Sequence, residues 1–134
     1  MDVVKEYEDV DVIKRVGNFL RNDTMKVMED IYAQQIEFDA IYSQSDSMLV
    51  GVREVQAKLG LDKGGIAVGI DYIQEAKDAI LEGKQTATFL YPTVAKEGIE
   101  VIVDLINGKE VAKDITVPTK LITIDNVKEV APIF

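Results

Sequence analysis

The stretch GIAVGIDYIQEAKDAILEGK, Gly65 to Lys84, decides the fold. GIAVGI is a continuous apolar run of strand length, the kind buried on both faces of a parallel sheet. Asp71 follows it at once. Ile73, Ala76 and Ile80 then recur at helical spacing, and Gly83 closes the helix. The stretch therefore reads as a strand, a turn carrying a carboxylate, and an amphipathic helix.

The same alternation extends in both directions. VDVIKRV (10–16) is rich in Val and Ile and reads as a strand. Met25, Met28, Ile31 and Tyr32 mark a helix over 22–35, with Asn22 or Asp23 available as its cap. DAIYSQS (39–45) reads as a strand. Asp46 opens a helix with Met48, Leu49, Val52, Val55 and Leu59 on its apolar side, ending at Gly60. TATFLY (86–91) is a further strand, and Pro92 fits the first position of a helix that runs to about Asn107 and stops at Gly108. Val117 to Ile124 reads as a last strand, and VKEVAPIF as a tail. MDVVKEYED (1–9) reads as the end of a helix. Alternating strands and helices imply one α/β domain, a parallel sheet flanked by helices. IEVIVDLI (99–106) is apolar on more than one face, so the helix within 92–108 is expected to pack on two sides.

The chain has 134 residues, a formal charge of −9 and neither cysteine nor histidine. The length suits a single domain. An acidic surface without a basic block repels phosphate backbones and argues against nucleic acid. Without Cys or His there is no thiol chemistry, no Ser-His-Asp triad and no imidazole or thiolate metal ligand. No metal or cofactor is expected. The neighbours Glu8/Asp9 and Glu29/Asp30 point apart and make poor acid–base pairs. No enzymatic activity is expected. The first residues are charged and carry no apolar leader, so no signal peptide is read in this chain.

Ligands of parallel α/β sheets bind beyond the carboxyl ends of the strands. Four groups fall there: Phe19 after the first strand, Ser45 after the second, Asp71 after the third and Tyr91 after the fourth. A ring, a hydroxyl, a carboxylate and a phenol suit a sugar or other polyol. The ring covers C–H faces, and the carboxylate accepts from neighbouring hydroxyls. Each position also has a structural reading. Asp71 with Gln74 fits a capping-box variant, Asp46 reads as a cap rather than a ligand group, and Phe19 alone reads as core. Gly17, Gly65 and Gly69 are too scattered for a dinucleotide or phosphate loop.

The ordered set RVGNFLRNDTMKVMEDI, FDAIYSQSDSMLVGV, IAVGIDYIQEAKDAILEGK and TATFLYPTVAKEG resembles the C-terminal half of ribose/galactose-type (type I) periplasmic sugar-binding proteins of bacterial ABC importers. The resemblance implies a flavodoxin-like lobe, incomplete because it lacks its opening strand and the first lobe. It implies that Phe19 stacks on the sugar and that Asp71 bonds to it. Ser45 stands where an Asn is usual and Tyr91 where an amide is common, so the ligand is expected to differ from plain ribose or galactose. It further implies an ABC permease as partner of the intact parent, and a periplasmic or membrane-anchored extracellular location for it. The helix within 92–108 would pack on the missing lobe or on another chain by self-association. Alternatives are a ligand-sensing domain of a signalling receptor or transcription regulator and a flavodoxin-like enzyme.

Overall fold

The computed structural model describes residues 6–61 and 65–133. Four helices and four strands alternate: α1 (Arg21–Ala33), β1 (Ala40–Tyr42), α2 (Asp46–Lys58), β2 (Ile66–Asp71), α3 (Gln74–Leu81), β3 (Ala87–Leu90), α4 (Ala95–Ile106) and β4 (Lys120–Ile122). The sheet order is β1-β2-β3-β4. The first three strands are parallel, with Tyr42 beside Val68 and Asp71 beside Leu90. β4 runs antiparallel to β3, with Phe89 beside Leu121, so the sheet is mixed rather than wholly parallel. Helix α4, which lies between β3 and β4, takes part in none of the closely packed element pairs.

Two apolar clusters hold most of the molecule together. Met28 and Ile31 of α1 meet Leu49, Val52 and Val55 of α2, with Ile41 and Ala67 of the sheet against them. Each such side chain removed from water contributes about 1.5–3 kcal/mol before entropy is counted. The second cluster joins Tyr72 and Ile80 to Ile122 of β4 and Val127 of the tail. The tail is therefore part of the core. The Tyr72 hydroxyl donates to the carbonyls of Val127 and Val130 at 3.0 and 2.9 Å, and the Ile133 N–H donates to the Tyr72 carbonyl at 3.0 Å.

Several sequence expectations need correction. VDVIKRV (10–16) is exposed and is not a strand. Among the described residues it makes no backbone ladder bond, and a strand exists only through such bonds. The helix expected at the start of the chain falls partly on residues 1–5, which lie outside the described residues, and 7–9 are not helical. Neither Asn22 nor Asp23 caps α1. Leu20 holds the cap position without a side-chain bond, and Asp23 accepts from Asn18 Nδ2 at 3.0 Å. Pro92 does not open α4. Its cap residue is Val94, at φ 50°, and the helix starts at Ala95. The helix ends hold as read, with Gly60, Gly83 and Gly108 all at positive φ.

Candidate functional site

The rim is built from four short connections: the turn that leads into α1 and those that leave β1, β2 and β3. The first is the turn Gly17–Leu20. The Leu20 N–H donates to the Gly17 carbonyl at 2.8 Å, and Asn18 and Phe19 both sit in the left-handed region, at φ 52° and 57°. This is the geometry of a mirror-image tight turn. It lifts the Phe19 ring clear of the core, and the residue is 64% exposed. Gly17 lets the turn seat closely, since a Cβ there would crowd Thr24 Oγ1 and Met48 Sδ.

The second connection leads from β1 into α2. Ser45, buried, is the cap of α2, and its hydroxyl oxygen accepts from the Ser47 N–H at 3.1 Å. Ser43 Oγ donates to the Ser45 carbonyl at 2.8 Å and fixes that cap. Asp46 is correspondingly not the cap. It is the first helical residue and is fully buried. Its Oδ2 accepts from the Tyr72 N–H and from Thr88 Oγ1, both at 2.7 Å. Its Oδ1 accepts from Gln85 Nε2 at 2.8 Å. Burial pushes its carboxyl above the usual carboxylate range, and these three bonds oppose the shift.

The third connection leads from β2 into α3. Asp71 ends β2 at φ 113°, and Tyr72 follows at φ 66°. Asp71 does not cap the helix. Ile73 holds that position without a side-chain bond, and Gln74, the expected capping-box partner, bonds to Asp78 Oδ1 instead, at 2.8 Å. The Asp71 carboxyl is half-buried, and desolvation raises its pKa against the Ser45 hydroxyl and the Asp46 N–H, which favour the charged form. The Tyr91 N–H, next along the rim, donates to the Asp71 carbonyl at 3.3 Å. The Tyr91 side chain is 62% exposed.

Ser45, Asp71 and Tyr91 are therefore linked side by side, and the Phe19 turn is seated against the start of α2 through Gly17 and Met48. Six described residues other than glycine have positive φ, and five of them lie on these rim connections: Asn18, Phe19, Asp71, Tyr72 and Val94. Such backbone costs of order 1 kcal/mol or more per residue and persists where packing over-determines it. Residues 17–20 and 71–72 gave no sign of this strain as sequence. Asp46 was also missed as a buried anchor. The available signal was Gly69, since a Cβ there would collide with Asp46 Oδ1.

A hollow of about 800 Å³ opens at the other end of the strands, between residues such as Phe38, Ile41, Val52 and Ile66. It lies beside none of the four candidate residues, and its walls also carry Tyr32, Glu37, Asp39, Arg53 and Gln56. Among the described residues no cluster of carboxylates is placed to hold a metal ion.

Residues 1–110 match the model of a family described as periplasmic binding protein domain. The chain belongs to this family. It is 29% identical over 114 residues to the ribose import binding protein RbsB of Bacillus subtilis, covering 84% of this chain and 37% of that protein. A solute-binding protein of an ABC transporter from Bacillus halodurans, solved with bound myo-inositol, is 27% identical with a TM-score of 0.87, over 96% of this chain and 45% of that one. The fructose-binding periplasmic domain of a hybrid two-component system superposes with a TM-score of 0.88 at 22% identity, a likeness of fold alone. The chain spans less than half the length of each of these relatives. The chain carries the α/β layout of this fold, a mixed four-stranded sheet flanked by four helices.

Proposed function

We propose that this chain is the sugar-contacting lobe of the solute-binding component of an ABC sugar importer. The observation that carries the reading is the half-buried Asp71 carboxyl at a strained strand end, between Ser45 and Tyr91. A carboxylate held there accepts from two neighbouring hydroxyls of a polyol. The exposed Phe19 ring supplies the apolar face, and Tyr91 adds a phenol at the outer edge.

Ser45 has a narrower part than a ligand residue with an amide fork. Its oxygen accepts from the Ser47 N–H, and its proton is within reach of Asp71. It holds the carboxylate rather than reaching far toward the sugar. Tyr91 then makes the polar contact that an amide makes elsewhere, from farther out.

One lobe supplies one wall. In the intact protein a second lobe closes over the sugar by hinge motion, and a permease receives the loaded protein, which is periplasmic or anchored to the membrane on its extracellular side. Helix α4 is the surface that meets the second lobe, or another chain when that lobe is absent. The chain binds its ligand without transforming it. Calorimetry with myo-inositol, D-allose, D-fucose and ribose tests the proposal. Measurable binding that disappears in Asp71→Ala supports it, and binding unchanged by that substitution overturns it.

A further inference from the structure

The geometry points to Asp46 as the positioning residue of this site, a buried carboxylate that holds the Asp71–Tyr72 turn in the strained form that presents Asp71. This rests on the ligand role proposed for Asp71. The Asp46 carboxylate bonds to none of the four candidate ligand residues, while its backbone N–H faces the Asp71 carboxyl. It lies under the rim and ties three connections together: its own helix start, the Tyr72 N–H after β2 and the Thr88 hydroxyl on β3.

The bond to the Tyr72 N–H matters because of where it falls. Asp71 and Tyr72 both have positive φ, a form that side-chain-bearing residues leave unless something holds them. The Tyr72 N–H to Asp46 Oδ2 bond, 2.7 Å long and fully buried, fixes the peptide that joins the two residues. The tail secures the same residue from the other side through the Tyr72 hydroxyl and carbonyl. The turn is thus clamped between Asp46 and residues 127–133.

The carboxylate is specifically required. Asp46 faces donors on both oxygens: Tyr72 N–H and Thr88 Oγ1 at Oδ2, Gln85 Nε2 at Oδ1. An asparagine must turn its own NH2 toward one of them. Gln85 cannot flip to receive it, because Gln85 Oε1 already accepts from Arg53 Nη1 at 2.8 Å and Nε2 also donates to the Ala87 carbonyl at 3.1 Å. Arg53 stands behind Gln85 as the counter-charge of this network. Gly69 completes it by leaving the space in which Oδ1 sits.

The test compares wild type with Asp46→Asn and Thr88→Val by amide hydrogen exchange and by calorimetry with myo-inositol, D-allose and D-fucose. Asp46→Asn is expected to speed exchange of the Tyr72 amide by about tenfold or more relative to the Val55 amide in the α1–α2 core. Thr88→Val gives a smaller effect confined to the same turn. Sugar binding falls with the loss of Tyr72 protection. Equal acceleration at Tyr72 and Val55 shows that Asp46 only stabilises the fold, and overturns the inference. So does an unchanged Tyr72 amide in Asp46→Asn. Should wild type bind none of these sugars, the sugar reading fails by itself, and the exchange ratio still decides whether Asp46 holds the turn.

Discussion

The backbone N–H of Tyr72 donates to Asp46 Oδ2 at 2.7 Å, across 26 residues of sequence and in a fully buried setting. Through this bond the first turn of α2 governs the backbone that carries Asp71. Substitutions around this carboxylate separate stability from the binding role proposed for Asp71.

Thr88 is fully buried, and its hydroxyl donates to Asp46 Oδ2. Thr88→Val keeps the shape and removes a donor to a charged acceptor. A loss of about 1–3 kcal/mol in unfolding free energy is expected, read from urea denaturation. A neutral result would mean that the Asp46 charge is satisfied without it.

Gly69→Ala and Gly98→Ala should move in opposite directions. The new methyl at residue 69 collides with Asp46 Oδ1 and presses on Leu49 Cδ1, an overpacking expected to cost about 1–3 kcal/mol or more. At residue 98, inside α4, a Cβ meets nothing within 4 Å, and local helix stability gains up to about 1 kcal/mol. Thermal melts and far-ultraviolet dichroism check both.

Asp71→Asn is expected to weaken sugar binding by about tenfold or more, as loss of a charge-assisted bond requires, without lowering stability at neutral pH. The sign follows from the raised native pKa. Between the unfolded value of about 3.9 and the raised native value, the folded state binds more protons than the unfolded state. The Asp71 contribution to stability therefore falls as pH rises through that window. Asp71→Asn lacks this component, so its stability relative to wild type rises across the window. Denaturation curves at a series of pH values measure the difference.

Phe19→Ala should leave stability within about 0.5 kcal/mol, because the ring is largely exposed. Sugar affinity should fall several-fold through loss of the stacking face. A large drop in melting temperature would instead mark the ring as core.

Helix α4 buries none of its residues, and Ile99, Ile102 and Ile106 are all more than half exposed. An apolar helix surface of this extent seeks a partner. The isolated chain is expected to self-associate at micromolar concentration, and the double substitution Ile99→Glu, Ile102→Glu to reduce this. Sedimentation of both proteins gives the answer. Two monomers of equal mass would rule out α4 as the contact.

The local elements were legible in the sequence because they rest on neighbouring residues. GIAVGI, the stripe from Ile73 to Ile80 and the closing glycines give β2, α3 and the helix ends from periodicity and backbone freedom alone. Ser45, Asp71 and Tyr91 follow from counting strand ends, whereas Phe19 was placed by a strand that does not form. What needed tertiary structure was everything decided by a partner distant in sequence. VDVIKRV has the composition of a strand, yet among the described residues nothing offers it a ladder. The antiparallel direction of β4 is set by its pairing with β3, some thirty residues earlier in the chain, which no local pattern of residues 117–124 records. Asp46 looks like a helix cap from its neighbours and becomes a buried anchor only because Tyr72, Gln85 and Thr88 bring three donors to it. Asp71 looks like the cap of α3, and the clamp on Tyr72 turns it to the rim instead. A buried charge takes its role from the donors that fold around it, and no local pattern records them.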